Sequence, residues 1–187
     1  QAYSAPIAAR AAAANSFAAP LADGLWSGER VSWIKPSAAW MAYRCGWTLL
    51  KDAAQARVLA LDLDRAAFMR LLARARVTHG EPAGGLKGAP VRVQWDPARA
   101  LGPPCADEAS AAGVAKGHPF LRRLERVRSL QVGVSGGAGA ALCDARVVRR
   151  ITDVTPAFRA AHAALARGGL ERARAALWPD AAMRERR

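Results

Sequence analysis

The hydrophobic positions of this chain of 187 residues form short apolar runs that alternate, in the first half, with alanine-rich stretches. Apolar runs of about four to eight residues bounded by breakers are typical of strands, whereas longer stretches with a period near 3.6 are typical of helices. The pattern predicts strands at residues 1–4, 30–35, 58–63, 91–95, 129–134 and 146–151.

Helix signals fall between the early strands. A helix is predicted at residues 6–15, and a second has Pro36 at its first position and stops at Gly46. A third begins after Asp64, whose side chain can cap the first turn. We therefore expect each early strand to be followed by a helix.

The second half contains two long stretches rich in glycine and proline, at about residues 78–90 and 97–119, which predict surface loops. Beyond them, two amphipathic helices are predicted at residues 155–166 and 170–178, with Thr155 as the N-cap of the first and Pro156 behind it. The order of elements indicates a single compact mixed domain of the α+β class that spans residues 1–187.

Composition narrows the class of protein. Apolar residues make up 52% of the chain, which excludes a disordered chain, and 28 Lys and Arg against 15 Asp and Glu give a formal net charge of +13. The basic excess fits a solvated surface and also a polyanionic partner, which clusters of basic residues would mark. The clearest cluster consists of Arg122, Arg123, Arg126 and Arg128.

Several classes of site have no support in the sequence. The three cysteines are widely spaced and the three histidines stand in separate contexts, so neither a disulfide framework nor a metal site is indicated. No apolar run reaches about 18 residues, so we expect no membrane partner and a cytoplasmic location. Gln1 falls within the first predicted strand, which suggests that residues precede it in the full-length protein.

A G-x-S-x-G pattern occupies residues 133–137, and Asp153 and His162 follow it in the order found in α/β-hydrolases. Only 27 positions separate Ser135 from His162, which leaves no room for the strands and helices that intervene in that fold. His162 also falls inside a predicted helix. We therefore expect residues 133–137 to form a glycine-rich turn rather than a nucleophile elbow.

The second predicted helix carries aromatic and basic side chains on one side. Trp40, Tyr43, Arg44 and Trp47 fall at helical spacing. Core packing with an arginine stacked on an aromatic ring explains this pattern. It also fits a pocket wall in which a ring holds a flat base while Arg44 or Lys35 binds phosphate. The sequence leaves both interpretations open.

Several motifs resemble a known family. W-I-K-P-S at residues 33–37 is followed by W-M-x-Y-R-x-G-W at residues 40–47, and the chain opens on Q-A-Y-S. Shorter matches lie at residues 57–60, 94–97, 130–133 and 151–155. Together these motifs resemble the family called domain of unknown function 4291 over nearly the whole chain.

The layout of this family is similar to that of ADP-ribosyltransferase-like domains, which implies a split β-sheet with flanking helices that holds NAD between two sheets. Such a site needs an aromatic ring on nicotinamide, a basic group at the pyrophosphate, and an acid or amide at the reacting carbon. The resemblance implies that Tyr3 or Ser4 holds ribose, Trp33 or Tyr43 stacks, Lys35 or Arg44 meets the pyrophosphate, and Gln131 or Asp96 faces the reacting carbon. We expect these residues to line one cavity.

The residues and the family resemblance leave three alternative functions open. The first is an NAD-utilising transferase. The second is a nucleic-acid-binding module without catalysis, in which the four clustered arginines bind phosphates and exposed tryptophans stack on unpaired bases. The third is an inactive family member, because the family pattern implies an acidic residue and a tryptophan shortly before Ile151. This chain has Ala-Arg-Val-Val at residues 145–148, and its nearest acid is Asp144.

Overall fold

A computed structural model describes residues 1–49, 52–78, 89–102 and 120–177 of the chain. Within these ranges the helices are α1 (Ala5–Ala14), α2 (Ala18–Ala22), α3 (Ala38–Cys45), α4 (Arg65–Leu72), α5 (Gly137–Ala140), α6 (Thr155–Ala166) and α7 (Leu170–Leu177). The strands are β1 (Ala2–Tyr3), β2 (Ser32–Ile34), β3 (Arg57–Leu63), β4 (Arg76–Val77), β5 (Val91–Leu101), β6 (Leu121–Val134) and β7 (Val148–Asp153). The α+β class predicted from the sequence is confirmed.

The strands form two separate sheets. A three-stranded antiparallel sheet has the order β1-β3-β7, and a four-stranded sheet has the order β2-β6-β5-β4. In the second sheet β4 runs parallel to β5, and the other neighbours are antiparallel. The predicted strands therefore divide between two sheets, with β5 and β6 as the long central pair of the larger one.

Two hydrophobic clusters hold these sheets and helices together. The first collects side chains from both sheets and from α1, including Tyr3, Phe17 and Val132. The second joins α3, α6 and α7 to one end of β6, with Trp47 and Phe158 at its centre. Because β6 contributes to both clusters, it fixes α3 against the four-stranded sheet.

Capping residues set the helix boundaries, and they correct two of the helix starts predicted from the sequence. Asp64 caps α4 as predicted, by accepting a hydrogen bond from the Ala67 amide at 2.9 Å. In α3 the cap is Ser37, whose hydroxyl accepts from the Trp40 amide at 3.2 Å, so the prediction that Pro36 is the first helical residue is wrong. The predicted stop at Gly46 is confirmed, with a left-handed φ of 54°.

The second correction concerns α6, in which Thr155 is already helical and Val154 occupies the N-cap position. The Thr155 hydroxyl accepts a hydrogen bond from the Val58 amide at 2.9 Å and is thus used in tertiary structure. The predicted helix bounds of 155–166 are confirmed, and α7 is described as far as Leu177, so the predicted end at 178 lies outside the described residues.

The predicted loop at 97–119 is wrong at its start, and the strand predicted at 129–134 begins earlier than expected. Strand β5 continues through Pro97 to Leu101, and β6 starts at Leu121 rather than at residue 129. Pro97 lies where the pairing register of the two strands shifts, a position at which a missing amide is tolerated. Residues 103–119, and residues 79–88 of the other predicted loop, lie outside the described residues.

The last strand is also displaced from its prediction. It covers Val148–Asp153 rather than 146–151, because Asp144 and Arg146 form a turn before it. None of the described helices combines the length and the apolar character that crossing a membrane requires.

Candidate functional site

One face of the four-stranded sheet is lined with polar side chains. The register pairs Gln94 with Gln131 and Asp96 with Ser129, and side chains two positions apart on a strand share a face. The alternate residues of β5 and β6, such as Val93 and Val132, are buried in the first hydrophobic cluster. The polar face, as we call it below, consists of Trp33, Arg92, Gln94, Asp96, Ser129 and Gln131.

The Asp96 carboxylate is the centre of this face. It accepts hydrogen bonds from the side-chain amides of Gln131 and Gln94, the second at 3.3 Å. Gln131 is only 6% exposed, so its side chain is fixed by its surroundings as well as by the carboxylate. The two amides hold one carboxylate in a defined orientation, as a site for a developing positive charge needs.

Lys35 follows the last residue of β2 and brings a cation to the same region. Its ammonium lies 5.6 Å from the centre of the Trp40 ring and donates a hydrogen bond to the Trp33 carbonyl at 3.3 Å. Burial, followed by the nearby Arg44, lowers the pKa of Lys35 to about 8, and the attraction of Asp96 opposes this shift. Lys35 is therefore a partly buried cation whose charge is lost more easily than that of an ordinary lysine.

Helix α3 provides an aromatic border to the polar face. The Trp40 and Tyr43 rings meet edge to face with centres 5.6 Å apart, and the Arg99 guanidinium lies 3.7 Å from the centre of the Tyr43 ring. Arg44 is exposed and donates a hydrogen bond to Gln55 at 3.4 Å. The buried Trp40 and the cation stacked on Tyr43 fit the first interpretation of this helix, packing with an arginine on an aromatic ring, although the arginine is Arg99 rather than Arg44. The pocket wall that binds a flat base and phosphate stays a prediction.

Trp33 lies on the polar face because it pairs directly with Gly133. A Cβ atom placed on Gly133 would come within 3.1 Å of the Trp33 ring and 2.8 Å of Val31 Cγ1. The Trp33 indole therefore covers the backbone of β6 at Gly133, where any side chain on β6 would displace the indole.

Two predicted ribose-binding residues lie apart from the polar face. Tyr3 is 5% exposed and packs against Phe17 with ring centres 5.1 Å apart, in the cluster on the other side of the sheet. Burial raises the pKa of its hydroxyl above the usual tyrosine value. Ser4 is the N-cap residue of α1, where its carbonyl accepts from the Ala8 amide at 3.0 Å.

The other six predicted residues lie in one region, on or beside the polar face. They are Trp33, Lys35, Tyr43, Arg44, Asp96 and Gln131. Trp33, Asp96 and Gln131 lie on strands of the four-stranded sheet, Lys35 directly follows β2, and Tyr43 and Arg44 lie on α3 beside it. A pocket of about 460 Å³ lies elsewhere, at the turn between α6 and α7, and none of the predicted site residues lines it.

Sequence reasoning missed four residues of this region: Arg92, Gln94, Arg99 and Ser129. The signal for two of them was present in V-R-V-Q-W-D at residues 91–96, where polar residues alternate with apolar ones. Ser129 is polar and 7% exposed, and its role depends on pairing with β5, which the sequence of β6 alone does not indicate.

The residues of the G-x-S-x-G pattern, and the Asp153 and His162 that follow it, make contacts that stabilise the fold. The Ser135 amide donates to the Pro90 carbonyl at 2.9 Å, and Gly136 adopts a left-handed φ of 57°. The His162 ring contacts Trp47 and Phe120, and Asp153 accepts hydrogen bonds from Arg57 and Thr155. The ring contacts of His162 are packing contacts, and the hydrogen bonds of Asp153 hold the start of α6.

Asp144 is the acid nearest to the position that the family pattern implies, and its side chain is bound to a neighbouring residue. Its carboxylate accepts hydrogen bonds from the backbone amide and guanidinium of Arg146, which hold its pKa below the usual range. Among the described residues, histidines, cysteines and acids do not gather in a group of three or more that could hold a metal ion.

Lys35 gives a testable pH dependence. The folded chain favours the neutral amine above about pH 8, whereas the unfolded chain keeps the proton to about pH 10.5. Since the unfolded state then binds more protons, the contribution of Lys35 to the free energy of unfolding rises with pH between these values. We expect the stability of the wild type relative to Lys35→Met to increase from pH 8 to pH 10 in urea titrations. A constant difference would contradict the burial of this amine.

The comparison with protein families supports the family motifs of the first 112 residues, whereas the motifs at residues 130–133 and 151–155 lie outside the matched range. Residues 1–112 match the family described as Domain of unknown function (DUF4291). The match includes the whole of β1 to β5 and α3, and it covers more than half of the chain, so the chain belongs to this family. Comparisons with curated proteins and with solved structures found no match.

Proposed function

We propose that this protein binds NAD on the polar face and uses it as an ADP-ribosyl donor. One observation supports this best: Asp96, held by two side-chain amides, lies near a partly buried cation, Lys35, in a region bordered by Trp33 and Trp40. An aromatic ring, a cation and an oriented carboxylate are the groups that a dinucleotide donor requires.

Each group has a role in this proposal. Lys35 and the exposed Arg44 would bind the pyrophosphate, and the Trp33 ring would stack on nicotinamide. Asp96 would stabilise the positive charge that develops on the ribose carbon as the bond to the nicotinamide nitrogen breaks. Nicotinamide leaves with the electron pair of that bond, and a nucleophile of the acceptor forms the new bond to carbon while its proton passes to solvent.

The proposal differs from the expectation drawn from the family resemblance. Tyr3 is packed in the core on the opposite side of the sheet, so the ribose is assigned to Gln94 and Gln131 instead. Asp96 rather than Gln131 is the residue at the reacting carbon, because only the carboxylate carries a charge that opposes the oxocarbenium ion.

Nicotinamide release from NAD tests the proposal. Asp96→Asn keeps the shape of the side chain and removes its charge, and we expect the rate of release to fall by about a hundredfold or more. Asp62→Asn is a matched control, because Asp62 lies in the other sheet and pairs with the exposed Arg150. Liquid chromatography of released nicotinamide measures both variants beside the wild type.

The outcomes separate the functions considered. No heat of binding at millimolar NAD together with no nicotinamide release would exclude an NAD-utilising protein. Binding without release would leave an inactive, NAD-binding member of the family. Equal loss of release in Asp96→Asn and Asp62→Asn would remove Asp96 from the reacting carbon.

A further inference from the structure

A second surface lies along the outer part of β6. Arg122, Arg123, Arg126 and Arg128 are all exposed on this strand, and we call them the arginine ribbon. Among the side chains that the structure describes, none of the four forms an ion pair, although six other arginines do. The ribbon is thus a cluster of exposed arginines along one strand, with one acid, Glu125, among them in the sequence and with the consecutive Arg122 and Arg123 on opposite faces of the strand.

An exposed aromatic ring adjoins this ribbon. Trp95 is 45% exposed, whereas Trp26, Trp40 and Trp47 are all buried. The register pairs Trp95 with Leu130 and Pro97 with Arg128, so Trp95 and Arg128 are diagonal neighbours on the same face of the sheet. This face is opposite to the polar face, on which Asp96 and Gln131 lie.

Like charges also meet across the strands. Arg123 lies directly opposite Arg99, and this arrangement is unfavourable without an anion. Burial and the charge of Arg123 both lower the pKa of Arg99, and the Arg99 Nε has no hydrogen-bond partner among the described residues. A phosphate bound at Arg123 would offset this repulsion.

We infer that the arginine ribbon and Trp95 bind single-stranded nucleic acid, with the arginines on phosphates and the indole stacked on an unpaired base. Charge alone would fit any polyanion, but an exposed indole beside the charges favours a ligand with flat bases. Neither the four arginines nor Trp95 has a role in the proposed NAD site, although Arg123 pairs with Arg99 at the aromatic border of that site, so binding of nucleic acid is measured without NAD.

Fluorescence anisotropy with labelled oligothymidylate of about 20 nucleotides, longer than common site sizes, tests this inference. Four phosphate contacts give a slope of about −2.8 for the logarithm of the binding constant against that of salt concentration. For Arg126→Gln/Arg128→Gln we expect binding about tenfold weaker or more, and a slope that is smaller in magnitude by about 1.4.

Two controls make the result specific. Arg167→Gln/Arg172→Gln removes the same charge from exposed positions on the α6–α7 turn and should leave affinity and slope near wild type. Equal weakening by both double variants would show a mere effect of net charge and would overturn the inference.

The role of Trp95 is tested separately. Trp95→Leu should weaken binding of the oligonucleotide by about fivefold or more, and it should leave binding of heparin, a polyanion without bases, unchanged. Equal affinity of the wild type and Trp95→Leu for the oligonucleotide would overturn base stacking, as would a wild type that binds heparin alone.

Discussion

Replacing Gly139 with alanine is expected to lower the free energy of unfolding by about 3 kcal/mol. A Cβ atom on Gly139 would overlap the carbonyl oxygen of Gly28, a backbone atom that cannot rotate away. The amide of Gly136 also donates to this carbonyl at 2.8 Å. The added methyl group would therefore push the chain before β2 away from α5 and from the end of β6.

Gly137→Ala is the matched control for this prediction. Gly137 lies in the same short helix, and a Cβ placed there meets no atom within 4 Å. Because alanine favours helix more than glycine does, the control should be neutral or slightly stabilising. Urea titrations of both variants measure the difference, and similar stability of the two would contradict the close contact at Gly28.

Trp47→Ala is the second substitution with a large expected effect, a loss of about 4 kcal/mol in the free energy of unfolding. Trp47 is 0% exposed and packs against Phe158 at 6.3 Å and His162 at 5.7 Å between ring centres. Truncation would leave a large cavity in the cluster that joins α3 to α6. The same substitution at Trp95, which is 45% exposed, should change stability by no more than about 0.5 kcal/mol.

The backbone around Trp47 adds a reason for this sensitivity. Gly46, Trp47 and Thr48 all have positive φ values, of 54°, 59° and 62°, and such a conformation is costly for residues with a side chain. Burial of the indole and the hydrogen bond from Arg159 to the Thr48 hydroxyl hold this turn in place. Thermal unfolding that is unchanged in Trp47→Ala would show that the turn does not depend on the indole.

The parts of the fold that follow from neighbouring residues could be predicted from the sequence. The cap at Asp64 and the stop at Gly46 depend on a few adjacent residues, and both are where the pattern indicates. The long pairing of β5 with β6 could not be predicted, because each strand takes its hydrogen bonds from the other across an intervening stretch rich in glycine and proline.

In the candidate site, too, only the grouping of residues that are near one another in sequence could be predicted. Lys35, Tyr43 and Arg44 lie close together in sequence, and the short connection from β2 to α3 keeps them in one region. The link between Asp96 and Gln131 requires knowledge of the strand register, and the family resemblance rather than periodicity indicated both residues. The position of Tyr3 was missed because a tyrosine in an opening strand carries no signal for which side of a sheet it faces.

Binding of NAD at the polar face is tested most directly by the tryptophan indole N–H signals in ¹H–¹⁵N spectra during a titration with NAD. The chain has 6 tryptophans, whose signals can be assigned with single Trp→Phe variants. We expect NAD to shift the signals of Trp33 and Trp40 and to leave those of Trp26, Trp47 and Trp95 in place. Shifts confined to Trp95, or unchanged spectra at millimolar NAD, would contradict a dinucleotide site on this face.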